Sequence, residues 1–182
     1  FSSATNGAMK AIRTNAGMIK KVYVPKYIYP LSSVLFNYII FAISLIVLVV
    51  VSIVLKVYPT IYLVQAIIPL ILLLITAFGV GMILSTMAVF FRDLEYLWSV
   101  GLMIIMYASA IFYKPGKLLK SGFGWILKCN PLYLLIHNFR QAVFGMPMNM
   151  KFLAASIVFA IVSVIVGLIF FYKKQDEFIL HI

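Results

Sequence analysis

Charge disappears from this chain for long intervals. No charged side chain occurs between Lys26 and Lys56, and none between Lys56 and Arg92. Tyr96 to Tyr113 and Phe152 to Tyr172 are uncharged as well. A helix rises 1.5 Å per residue and the bilayer's hydrocarbon core is about 30 Å thick, so about 20 apolar residues cross it. Two of these runs exceed that length, one matches it, and Tyr96–Tyr113 barely reaches. The first run ends in Ile46-Val-Leu-Val-Val-Val51, which would read as strand in water. In lipid a lone strand leaves its backbone unpaired, so helix is expected. The pattern predicts an all-α bundle with spans over 31–55, 61–91, 96–113 and 152–172.

The intervals between the spans carry their own signals. Residues 1–30 hold Lys10, Arg13, Lys20, Lys21 and Lys26 and no acid. Asn15 is expected to cap a short helix running to about Tyr23, which Pro25 stops. On that helix Met18, Ile19 and Val22 form a small apolar face flanked by Lys20 and Lys21. The segment 15–26 is thus either a basic collar against anionic lipid or a docking surface for a partner's groove. Lys56–Thr60 reads as a tight turn between spans. Pro69 should kink the second span, and Gly79, Gly81 and Ser85 should let a neighbouring helix approach closely. Phe91-Arg92-Asp93 returns the chain to water. Arg92 and Asp93 diverge by about 100° on a helix, so they form either a solvated helix end or a hinge between two spans.

Residues 114–151 form the longest non-spanning region, with Lys114-Pro-Gly116, Gly122 and Gly124. Gly124–Cys129 and Leu132–Val143 are amphipathic enough for short interfacial helices. Asn130 precedes Pro131 and should cap the helix beginning near Leu132, with Arg140 toward its other end. Phe123, Trp125, Tyr133, Phe139 and Phe144 suit an aromatic belt at the interface, or in part an exit gate. Phe36, Tyr38 and Tyr107 lie within spans and could face a channel or lipid.

Composition agrees with the pattern. Of 182 residues, 65% are hydrophobic and 10% charged, against about half and about a quarter in soluble domains. Mean hydropathy is +1.13. The net charge of +11 is scattered at the ends of apolar runs, where it meets headgroups, and is not gathered into a nucleic-acid-binding stripe. The single Cys129 allows no internal disulfide and reads as a small apolar filler.

No bond-making chemistry is visible. There is no G-x-x-x-x-G-K-[ST] phosphate loop, so ATP hydrolysis would have to come from another subunit. His137 and His181 have no carboxylate nearby in sequence, and no metal site or cofactor is expected. None of the four spans holds an ionisable acid, base or histidine. That argues against an ion-coupled carrier, which needs such a group at membrane depth. With four spans, 1–30, 92–95 and the C-terminal segment share one side and 114–151 the other. The two sides carry nearly equal numbers of cations, so the positive-inside rule decides little.

Three patterns together resemble the ABC-2 family of ATP-binding-cassette permeases, in particular its polysaccharide, O-antigen and teichoic-acid exporter branch. They are Asn15-Ala-Gly-Met-Ile-Lys-Lys-Val-Tyr-Val-Pro-Lys-Tyr-Ile-Tyr-Pro30, Phe91-Arg92-Asp93-Leu94, and Asn130-Pro131 with Arg140 ten residues on. The resemblance covers essentially the whole chain. One departure is Ser109-Ala110-Ile111-Phe112-Tyr113, where relatives often have Ser-Pro before an aromatic pair. The resemblance implies a bundle of the type V exporter kind, with Phe1–Thr14 as the inner end of a span and earlier spans missing. It implies that Asn15, Met18, Ile19, Lys20, Lys21, Val22 and Pro25 couple to an ATPase. It makes Phe91, Arg92 and Asp93 a cytosolic hinge, and Trp125, Asn130, Pro131 and Arg140 an extracellular gate. The implied partners are two ATPase subunits, a second permease copy and a lipid-linked glycan in a bacterial cytoplasmic membrane. Drug or lipid export by the same fold, or a membrane scaffold without transport, are the alternatives.

Overall fold

A computed structural model describes residues 1–22, 24–54, 61–113 and 124–181. Tyr23, the end of the first span at Leu55, the 56–60 turn, and Lys114-Pro-Gly116, Gly122 and Phe123 lie outside the described residues. The described residues form helices joined by turns, with no strand among them. In chain order they form α1 (Ser2–Thr14), α2 (Ala16–Ile19), α3 (Ile28–Val54), a 3₁₀ segment (Ile61–Ala66) and α4 (Ile67–Phe90). There follow α5 (Leu94–Ala108), α6 (Gly124–Cys129), α7 (Pro131–Val143), α8 (Met150–Lys174) and α9 (Phe178–His181), the last two joined by a 3₁₀ turn.

Helices α3, α4 and α8 are long and apolar enough to cross a membrane. Helix α5, with 15 residues, is about 22 Å long and falls short of the roughly 30 Å core. The third expected span, 96–113, is therefore helical only to Ala108. Ser109 follows it, and Ala110 turns the chain with φ 49°. The expected kink at Pro69 is also displaced. The geometry changes from 3₁₀ to α at Ile67, which puts Pro69 in the first turn of α4, where a missing N–H costs nothing.

Helix α4 is the centre of the bundle and buries residues on all sides, from Pro69 to Val89. Its glycines serve two neighbours. A Cβ on Gly79 would lie 2.5 Å from the backbone of Ser163 in α8, whereas one on Gly81 would meet Ala8 of α1 at 2.9 Å. Residues two apart on a helix point to opposite sides, so the glycines admit a helix on each flank. From α8, Gly167 answers Gly79, its own Cβ position lying 2.5 Å from the Gly79 carbonyl oxygen.

Helix α1 is amphipathic and packs Ala4, Thr5, Ala8, Met9, Ala11 and Ile12 against the bundle. At the same end Ile12, Ile19, Tyr29, Met82, Val89 and Phe171 gather around the fully buried Phe178. The Phe178 ring stands edge-on to Phe171 at 5.2 Å and to Phe90 at 6.2 Å. Lys26 Nζ donates to the Gln175 carbonyl at 2.6 Å. The C-terminal segment is therefore folded under the bundle. Residues 13–22, 24–26, 91–95 and 173–178 share this end, and Ser109–Tyr113 and α6–α7 occupy the other.

Candidate functional site

At the first end, local sequence decides how the basic segment is presented. Asn15 ends α1 and does not cap α2: its Nδ2 donates to the Ala11 carbonyl at 2.8 Å, and its side chain caps nothing in α2. Four residues make too short a helix to hold an amphipathic face, so α2 closes at Ile19 and the chain turns away. Met18 and Val22 are 58% and 52% exposed, but Ile19 is 8% exposed and packed into the Phe178 cluster. The expected three-residue apolar face is thus a two-residue one, with Ile19 as its anchor to the core. Lys20, Lys21 and Pro25 are exposed beside it.

Phe91, Arg92 and Asp93 are all exposed, and Phe91 breaks the helix with extended backbone at φ −121° and ψ 97°. A charged tie between two helices lies two residues past Asp93, at Glu95. Glu95 Oε2 lies 3.0 Å from Lys10 Nζ, and Oε1 lies 3.0 Å from Arg13 Nη1. Glu95 is in the first turn of α5, where a carboxylate also meets the positive end of the helix dipole. One turn on, Trp98 Nε1 donates to Thr5 Oγ1 at 3.2 Å. Both contacts join α5 to α1. Sequence reading missed Glu95, Trp98 and Thr5, because nothing local to Glu95 announces partners more than eighty residues earlier.

The far end of α5 is held in a different way. Asn130 caps α7, its Oδ1 accepting from Leu132 N–H at 3.0 Å, with Pro131 at the first helical position. The same side chain reaches α5, its Nδ2 donating to Ser109 Oγ at 3.0 Å and the Ile105 carbonyl at 3.4 Å. Arg140, in the last turn of α7, donates to the carbonyls of Ala110 and Ile111, each at 3.4 Å. Ala110 is fully buried against Leu127, Tyr133 and Leu134. Trp125 stands apart from this cluster, 63% exposed, as an interfacial aromatic would. Cys129, read as a small apolar filler, is exposed.

A further lock, unnoticed in the sequence, joins α7 to α8. Asn138 is fully buried and its Oδ1 accepts from Asn149 N–H at 3.0 Å, while Asn149 Oδ1 caps α8 through Lys151 and Phe152 N–H. Between these two residues His137 stacks edge-on against Phe152 at 5.0 Å. Burial, and secondly the nearby Arg140 charge, hold its pKa below the ordinary value, opposed by hydrogen bonding of the imidazole to Asn138. Burial likewise raises the pKa of Tyr133.

Between α5 and the rest of the bundle lies an apolar cleft of about 530 Å³, lined by Leu70 and Leu73 of α4, Leu102 and Met106 of α5, and Leu135 and Phe139 of α7. Of the three candidate channel aromatics, Tyr38 lines a smaller recess of about 250 Å³ with Asn37 and Ser44. Phe36 and Tyr107 line neither, and both are exposed on the bundle's outside, at 65% and 58%.

The chain belongs to the ABC-2 type transporter family, whose pattern matches residues 1–144. It is 35% identical over 179 residues to a protein of Klebsiella pneumoniae named O-antigen export system permease protein RfbA. A second Klebsiella pneumoniae protein of that name is 32% identical over the same length. Each alignment takes in 97% of this chain and 68% of the relative.

Proposed function

We propose that this permease is the membrane subunit of an ATP-driven exporter that moves a lipid-linked polysaccharide across a bacterial cytoplasmic membrane. The observation that carries the reading is the 35% identity to an O-antigen export permease over 97% of this chain. In this reading two copies of the permease pair with two ATPase subunits, which supply the hydrolysis. The end bearing α2 is cytosolic. Met18 and Val22 enter a groove on the ATPase, with Lys20, Lys21 and Pro25 around them, while Asn15 and Ile19 hold the knob in place. Phe91, Arg92 and Asp93 form the exposed joint between α4 and α5. On the outer side Asn130, Pro131 and Arg140 hold α7 against α5 as a closed gate, with Trp125 at the interface. Tyr38 is the candidate channel aromatic that the recess favours.

The exposed, apolar Met18 and Val22 within a basic segment support docking to protein over a purely electrostatic collar, since a collar needs only cations. The test is reconstitution with the cognate ATPase in proteoliposomes loaded with a polyprenyl-linked glycan. ATP-dependent appearance of glycan on the far face is expected. Transport of drugs or free phospholipid in its place would favour the same fold with another cargo. Failure to bind any ATPase would favour a scaffold.

A further inference from the structure

Helix α5 has no buried residue along its 15 positions. Its middle lines the apolar cleft, and at its first end Leu94 and Trp98 pack against Met9 of α1 and Leu84 and Ala88 of α4. Polar contacts add to this packing at both ends. At one end Glu95 and Trp98 grip α1 through Lys10, Arg13 and Thr5. At the other, Ser109, Ala110 and Ile111 are gripped by Asn130 and Arg140 of α7. A helix fastened to a different neighbour at each end passes a displacement of one to the other as a rigid element.

Helix α1 runs directly into the docking segment, with Asn15 closing one and opening the other. We propose that α5 is the rod of a relay from the docking segment to α7, and that Glu95 is the positioning residue that fastens it to α1. Movement of α2 carries the Lys10–Arg13 turn of α1 with it. Glu95 passes that movement to α5, and the Ser109–Ile111 end pulls on Asn130 and Arg140. The carboxylate suits this task. It takes two cations on one helix face at 3.0 Å each, so α5 follows α1 in rotation as well as in translation. The relay rests on the exporter reading for what it opens, but not for whether it moves.

The experiment uses the complete permease–ATPase complex. Glu95→Gln keeps the shape and removes the charge. Membrane insertion, ATPase co-purification and ATP hydrolysis are expected to stay near the parent level, while glycan export falls by about tenfold or more, a typical coupling strength. The charge-exchanged variant Lys10→Glu/Arg13→Glu/Glu95→Arg restores the pairing with reversed signs and should recover most of the export.

A second readout needs no cargo. In a Cys129→Ser background, cysteines replacing Met106 of α5 and Leu135 of α7, both of which line the cleft, form a reporter pair. Their cross-linking rate should change between nucleotide-free and ATP-bound complexes, and that change should vanish with Glu95→Gln. Unaltered export and an unaltered cross-linking change in Glu95→Gln would overturn the relay. So would loss of ATPase binding in step with export, which would assign Glu95 to docking. A parent complex that exports no glycan yet shows the nucleotide-dependent cross-linking, lost in Glu95→Gln, counts against the cargo and supports the relay.

Discussion

Gly79 and Gly167 touch through their backbones: a Cβ on Gly167 would stand 2.5 Å from the Gly79 carbonyl oxygen. No side chain can enter that contact without separating α4 from α8. Close approach of small residues is how membrane helices gain packing when lipid removes the hydrophobic incentive. Gly167→Ala should therefore destabilise the bundle by about 1–3 kcal/mol, the usual range for overpacking. Gly17→Ala, with nothing within 4 Å of its Cβ position, should be neutral or slightly stabilising. Thermal unfolding in detergent compares the two, and equal melting temperatures would contradict the close-packed interface.

The docking segment separates two roles that its sequence merges. Ile19→Ala should destabilise the protein by about 2 kcal/mol or more through loss of core contacts, and weaken ATPase binding only as a consequence. Met18→Asp and Val22→Asp should leave the melting temperature unchanged and abolish ATPase co-purification, because a carboxylate in an apolar groove has no partner. Full binding by both exposed variants would remove the knob from the coupling site.

Orientation can be read from the parent chain, whose one cysteine is exposed. A membrane-impermeant maleimide should label Cys129 in intact cells. In a Cys129→Ser background, Met18→Cys should react only after the membrane is permeabilised. The reverse pattern would invert the topology.

His137 gives the fold a pH dependence of definite sign. Its pKa is lowered in the folded state, so the unfolded chain binds more protons wherever the two differ, and stability rises with pH. The loss begins as pH falls through the ordinary value of 6.5 and grows until the lower folded value is passed. His137→Gln should flatten the dependence of melting temperature between pH 7.5 and about 5. An identical slope in parent and variant would place the titrating group elsewhere.

The gate reading makes Asn130 more consequential than Pro131. Asn130→Ala loses the cap, worth about 1 kcal/mol, together with the bond to Ser109. Pro131→Ala keeps a helix former at the first position. Solute leak in resting proteoliposomes should rise for Asn130→Ala and Arg140→Ala and change less for Pro131→Ala. No leak in any of the three would leave α7 as an interfacial belt.

What could be read in advance follows from how local each signal is. The spans α3, α4 and α8 show in the charge gaps because lipid rejects any ionised group along 20 residues. Asn130 shows because a cap and its proline are adjacent. The length of α5 does not show, since Ser109 to Tyr113 is as apolar as the helix before it, and only the Ala110 backbone ends it. Nor does the inward turn of Ile19, whose pocket is made by Phe171 and Phe178 from the far end of the chain. Glu95 escaped for the same reason. Its neighbours Arg92 and Asp93 offered the same charges, and three-dimensional proximity to α1 alone chose between them.

The tucked Phe178 has a bearing on biosynthesis. Ile19 is made early and its pocket is completed only when residue 178 has been translated, about 160 residues later on the ribosome. Until then the knob that would receive the ATPase has no fixed seat. Lys26 likewise waits for Gln175. A chain that stops short of residue 178 therefore leaves Ile19 with an incomplete pocket and the segment around it without its anchor.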